Sequence, residues 1–173
     1  ETSLVDLGLV VEQVREEFLR LRALGFNCVC LCMVYMPEHF YEIADQTGML
    51  IWQEHPVWKS RTEPEFHAEY HRLFESFMRR DARHPAVVIV SGSCEHEALH
   101  PGLSAWWWSR ARETLPDRLL QSQTAFTSWT DPRQTDLHDE HVYDNTGRWV
   151  CFLDDVRATL EELPPAPFVM GET

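Results

Sequence analysis

Positive charge is scarce in this chain. Fifteen Lys and Arg stand against 28 Asp and Glu among 173 residues, a formal net charge of -13, and the basic residues form no stripe or tail. That excludes the electrostatic footprint by which nucleic acids and anionic membrane surfaces are held. No apolar run approaches the roughly 18 to 20 residues of a membrane span, and the first residues hold no basic stretch leading into an apolar one. The five cysteines, Cys28, Cys30, Cys32, Cys94 and Cys151, are odd in number and include no CxxC pair, which excludes a disulfide framework. Alternate residues of a strand lie about 6.5 to 7 Å apart on one face, too spread for Cys28, Cys30 and Cys32 to share one ion. They are read as small buried apolar side chains. Low-complexity segments and close repeats are also missing.

What is present is enough for a core. With 44% hydrophobic and 12% aromatic residues, the chain is expected to form one globular domain or part of one. Val14, Phe18 and Leu21 recur at helical spacing before Gly25, predicting a helix over about 10–24. Asn27 to Met33 reads as a strand, Pro37 to Gly48 as a helix, and Met49 to Gln53 as a second buried strand. Phe66, Tyr70, Leu73, Phe74 and Phe77 mark a third helix from Pro64 to the Arg79-Arg80-Asp81 cluster. The run Val87 to Val90 is a third strand. A helix over Leu103 to Thr114, a strand near Leu119 to Phe126, a short strand at His141 to Tyr143, a helix over Cys151 to Leu163 and a strand at Pro167 to Met170 complete the series.

Six apolar strands separated by helices imply a parallel sheet covered on both faces. A doubly wound sheet and a (β/α)8 barrel both fit that alternation, and the barrel places active residues at the C-terminal ends of many strands. Here Glu54 and His55, Glu95, His141 and Tyr143, and Glu172 all follow or end strands. That distribution favours the barrel.

Glu95 and Glu172 each end a run too apolar to be a solvated edge. Two carboxylates on one rim can divide glycosidic bond cleavage, one protonating the leaving oxygen and the other attacking the anomeric carbon. A gap of about 5 to 5.5 Å would retain configuration, and about 6.5 to 9.5 Å would invert it.

The string Arg83 to Glu95, RHPAVVIVSGSCE, resembles the acid/base strand of glycoside hydrolase family 2, which includes β-galactosidases, β-mannosidases and β-glucuronidases. Pro167 to Glu172, PFVMGE, is similar to that family's nucleophile strand. The segment between Asn27 and Glu54, with Phe40-Tyr41-Glu42-Ile43-Ala44-Asp45 and Ile51-Trp52-Gln53-Glu54, adds a lean toward the β-mannosidase branch. The resemblance implies a partial (β/α)8 TIM barrel over 1–173, from about barrel helix 1 to strand 7 and lacking the first and last strands. It also implies other domains in the same parent chain, such as β-sandwiches. It makes Glu95 the general acid/base and Glu172 the nucleophile of a retaining β-glycosidase acting on a carbohydrate substrate without a cofactor or metal. Cys94, Tyr143, His141, Glu54 and His55 would line the sugar site.

Three positions depart from the family. Cys94 stands where an Asn amide usually meets the sugar 2-hydroxyl, Cys30 where an Arg supports the nucleophile, and Val90 where a Trp precedes the acid/base motif. A thiol replaces neither an amide nor a guanidinium. The departures keep a second reading open, a carbohydrate-binding relative without turnover. A third reading is a metal-dependent barrel hydrolase built on the nine histidines.

Other features have blander readings. Glu97 is the candidate first-turn acid of the next helix. His67 and His71, four apart, lack the His-Glu-x-x-His order and read as surface histidines. Trp106-Trp107-Trp108 reads as helix packing, with a sugar-stacking platform as the alternative.

Overall fold

The computed structural model describes residues 4–58, 64–95, 101–125, 131–143 and 149–172, with the backbone alone for 4–9, 101, 149–150 and 172. Five helices and six strands follow one another among these residues: α1 (Leu4–Ala23), β1 (Cys28–Leu31), α2 (Glu38–Thr47), β2 (Leu50–Glu54), α3 (Pro64–Asp81), β3 (Val87–Ser91), α4 (Pro101–Thr114), β4 (Leu119–Gln121), β5 (His138–His141), α5 (Trp149–Glu161) and β6 (Phe168–Glu172). Strands β1 to β4 form one parallel sheet in chain order, and β5 pairs with β6 in a second, also parallel. The architecture is mixed α/β. Among the described residues no helix is long and apolar enough to cross a membrane.

The sheet is two-faced, and its alternation decides which residues reach solvent or a ligand. On β2, Ile51 and the side chains around it join the aliphatic and aromatic core with Val87, Val90, Phe74, Met78 and Trp107. Trp52 and Glu54, one residue out of phase, point to the opposite face and line a cavity with Cys30 and Cys32 of the β1 segment. Period-two alternation allows no other division. Cys30 and Cys32 are therefore exposed rather than buried with the core, contrary to the sequence expectation.

Several loop contacts fix the strand ends. Helix α2 stops at Gly48, whose φ of 70° is the left-handed C-cap conformation that favours glycine. Asp45 on the same helix accepts the Ala86 N–H at 2.8 Å and meets His84 Nδ1 at 2.7 Å, so the His84-Pro85 turn that launches β3 is pinned to α2. At the other end of β3, Gly92 donates its N–H to Gln121 O, and its carbonyl accepts the Tyr70 hydroxyl at 2.9 Å.

Helix α4 packs on α3 through its tryptophans. Trp107 is fully buried, Trp106 stacks on His71 with centroids 3.8 Å apart, and the Arg112 guanidinium covers Trp108. The packing reading thus accounts for all three rings. His71 is half-buried under Trp106, not a free surface residue.

Several boundaries differ from the sequence reading, four of them for identifiable reasons. Helix α1 begins at Leu4, because Gly8 and the apolar residues on both sides of Asp6 hide its period. Met33, at φ 54°, ends the β1 segment early. β4 stops at Gln121 because Ser122 turns its N–H to Gln134 O. β5 covers 138–141 instead of 141–143, since His138-Asp139-Glu140-His141 has no apolar residue to announce it, although all four are buried.

A Cβ at Gly92 would lie 2.7 Å from both Ser122 O and the Trp107 ring. Gly92→Ala is expected to destabilise the fold by about 1 to 3 kcal/mol, read as a lower urea midpoint with the slope unchanged; an unshifted midpoint would refute the close packing.

Candidate active site

Because the strands in each sheet run parallel, their C-terminal ends come to one edge, where ligands of α/β folds bind. The edge carries Cys32 after β1, Glu54 at the end of β2, Cys94 and Glu95 after β3, Thr124 and Ala125 after β4, and Asp139, His141 and Tyr143 on and after β5.

Glu95 is reached through a firmly held lead. Ser93 O accepts the Thr124 N–H at 3.0 Å and Cys94 N–H donates to Val57 O at 2.8 Å. Glu95 itself adopts φ 42°, a left-handed conformation that a non-glycine residue keeps only when its surroundings enforce it. Its carboxylate meets His141 Nδ1 at 3.0 Å and accepts the Tyr143 hydroxyl. Burial alone would raise its pKa, but the bonds from Tyr143 and His141 outweigh burial and hold the carboxyl below the usual range.

His141 is gripped from both sides. Its Nε2 lies 3.3 Å from the Asp139 carboxylate. Burial pulls the imidazole down, yet Asp139 and Glu95 together push it up to about 9. Asp139 is buried and accepts the Ala125 N–H at 3.1 Å and the Gly171 N–H at 2.9 Å. A Cβ at Gly171 would stand 2.5 Å from that carboxylate, so glycine is required there by close approach. The result is a line of groups, Asp139 to His141 to Glu95 to Tyr143, running across the edge.

Glu54 forms the second focus. It is 2% exposed and receives the Met33 N–H at 3.2 Å. Burial raises its pKa despite hydrogen bonds from Thr124, Cys32 and Cys94. Burial likewise pushes the Cys94 thiol up. Glu54, Cys30, Cys32, Trp52, His141 and Gly171 surround a cavity of about 110 Å³.

Of the residues named from the sequence, Glu95, His141 and Tyr143 are in direct contact, and Glu54 and Cys94 lie beside them. His55 does not join them. It is fully buried, its Nδ1 lies 2.6 Å from the Tyr35 hydroxyl, and its ring packs edge-on against Tyr70; the strand alternation that turns Glu54 toward the cavity turns His55 into the core. Burial drops its pKa to about 3. Glu172 ends β6 in register with His141, and its side chain lies outside the described residues. Glu97 lies outside them too. The histidines form no metal-ligand group among the described residues. Among the described residues, the group of three potential metal ligands is Cys32, Glu54 and Cys94.

Sequence reasoning missed Asp139, which orients His141. The signal was its place two residues before His141, which puts both on one face of a strand.

No family model matches the sequence. Seventy-seven residues are 31% identical to the β-mannosidase of Mus musculus, 43% of this chain and 8% of that protein. Among solved structures, the β-glucuronidase of Parabacteroides merdae superposes with a TM-score of 0.76 at 14% identity, over 92% of this chain and 21% of that one. The GH2 β-galacturonidase of Eisenbergiella tayi gives a TM-score of 0.79 at 15% identity, over 92% and 31%. Over most of its length the chain has the fold of these solved structures. It spans less than a third of the length of each of these relatives.

His141 and His55 have opposite linkages. His141, raised from 6.5 to about 9, contributes stability that is fully present below about pH 6.5 and is lost as pH rises through about 9. His55, lowered from 6.5 to about 3, makes stability fall as pH drops from about 6.5 toward 3. Imidazole NMR titration is expected to show both, and Asp139→Asn to lower the His141 value by about one to three units. A His141 titration near 6.5 in the unmutated protein would refute the arrangement.

Proposed function

We propose that the protein carrying this chain is a retaining β-glycosidase. The two sheets are parts of one (β/α)8 barrel, from about barrel helix 1 to strand 7, which other domains of the same parent chain accompany. The substrate is a carbohydrate with a terminal β-glycosidic bond, and the 77-residue likeness to a β-mannosidase favours that branch of the family.

The observation that carries this reading is the place of His141. Its side chain touches Glu95, and its backbone is the register partner of Glu172 on β6. Paired Cα atoms of neighbouring strands lie about 4.8 Å apart, so the two glutamates named from the sequence flank one histidine. Glu172 attacks the anomeric carbon as its bond to the leaving oxygen breaks. Glu95 delivers a proton to that oxygen. Glu95 then takes a proton from the water that cleaves the glycosyl ester and restores both carboxyl groups. The short contact with protonated His141 gives the Glu95–His141 pair one transferable proton at neutral pH, so the acid step draws on a proton already at the site. Tyr143, Glu54 and Cys94 line the place of the sugar.

A second reading, a carbohydrate-binding relative without turnover, is favoured by one observation. Cys94 presents a buried thiol where an amide would meet the sugar, and Cys30 lines the cavity where an arginine would stand.

In the intact protein, Glu95→Gln is expected to lower hydrolysis of activated aryl β-glycosides by about 10²- to 10⁴-fold, Glu172→Gln to abolish it, and Cys94→Asn to raise it. Unchanged hydrolysis in both glutamate variants would refute the assignment, and saturable sugar binding without any product would establish the second reading.

A further inference from the structure

We propose that Cys32, Glu54 and Cys94 form a binding site for a soft divalent cation of the zinc class. The proposal rests on the positions and chemistry of these three donors, two of which, Glu54 and Cys94, also line the place proposed for the sugar.

The three donors come from three neighbouring segments, after β1, at the end of β2 and after β3, and their donor atoms lie within 4.8 Å of one another. A tetrahedral zinc with Zn–S of about 2.3 Å and Zn–O of about 2.0 to 2.2 Å sets donors about 3.5 to 3.8 Å apart. Side-chain rotation of about an ångström closes that gap without moving a strand. The arrangement differs from the Cys28, Cys30, Cys32 series, whose members are spread along one strand.

The backbone around the donors is held in place. Met33 N–H fixes one Glu54 oxygen at 3.2 Å, and Cys94 N–H is anchored to Val57 O at 2.8 Å. Each cysteine is followed directly by a residue in the left-handed region, Met33 at φ 54° and Glu95 at φ 42°. Two sulfur donors with one carboxylate select zinc-like ions over magnesium or calcium, which take oxygen alone. Three protein ligands leave a fourth position, and the cavity beside Cys32 and Glu54 has room for a water there. Binding removes one proton from each thiol, and both protons pass to solvent.

The test is a titration of the reduced, chelator-treated intact protein with Co²⁺ and then Zn²⁺. One equivalent of Co²⁺ is expected to give sulfur-to-cobalt charge-transfer absorption, which Zn²⁺ then displaces. Cys32→Ser and Cys94→Ser should each weaken binding by at least the about 10- to 100-fold that loss of a supporting contact costs. Glu54→Gln should weaken binding while retaining charge-transfer absorption, and Cys151→Ser, in α5, should change nothing. Cys94 is buried, so Cys32→Ser, at an exposed side chain, carries the result if Cys94→Ser fails to fold. Absence of charge-transfer absorption in the reduced protein, unchanged affinity in Cys32→Ser, or recovery of Cys32 and Cys94 only as a disulfide that binds no metal would overturn the proposal.

Discussion

The carboxylate of Asp139 organises the edge on which the rest of the site is built. It is buried, and burial of a charge is tolerated only where hydrogen bonds and a counter-charge meet it. Here the N–H groups of Ala125 and Gly171 and the ring of His141 meet it. Through these contacts the segment after β4, the strand β6 and the strand β5 share one anchor. His141 is thereby set in one orientation, and Glu95, 46 residues earlier in the chain, has a fixed partner to reach.

Backbone strain follows the same edge. Met33, Glu95 and Ala125 are the described non-glycine residues with positive φ, and each follows the end of a parallel strand. Each also serves a carboxylate: Met33 donates to Glu54, Ala125 donates to Asp139, and Glu95 carries its own. Conformations of this kind cost on the order of 1 to 3 kcal/mol each and persist where the surroundings enforce them. The hydrophobic half of the molecule supplies that enforcement. Ile51, Val87, Val90, Trp107 and Leu120 are all fully buried on the helix side of the sheet.

The parts of the fold that rest on hydrophobic periodicity were legible in the sequence. Helices α2, α3 and α4 and strands β2 and β3 lie where apolar spacing, Gly48 and Pro64 place them. The strand β5 was misplaced because its four residues are polar, and no hydropathy pattern distinguishes a buried polar strand from a loop. Glu54, Glu95, His141 and Tyr143 could be named together because each follows or ends a strand, and they share one edge. His55 was misassigned because adjacency in sequence says nothing about face: one step along an extended chain reverses direction. Asp139 and Cys32 escaped because their parts depend on neighbours brought together by folding. Gly171 is explained only by the carboxylate it must admit.

A strand without apolar side chains has a consequence for the order of assembly. β5 contributes nothing to hydrophobic collapse, and Asp139 finds its donors only after Ala125 and Gly171 have been delivered by segments on either side of it in the chain. The four-stranded aliphatic half has the local and apolar contacts to form first and act as a template. By the same reasoning the β5–β6 half is expected to dock afterward and to open at the lowest free energy. The groups best placed for chemistry are thus expected to gain their geometry last during folding and to lose it first under stress.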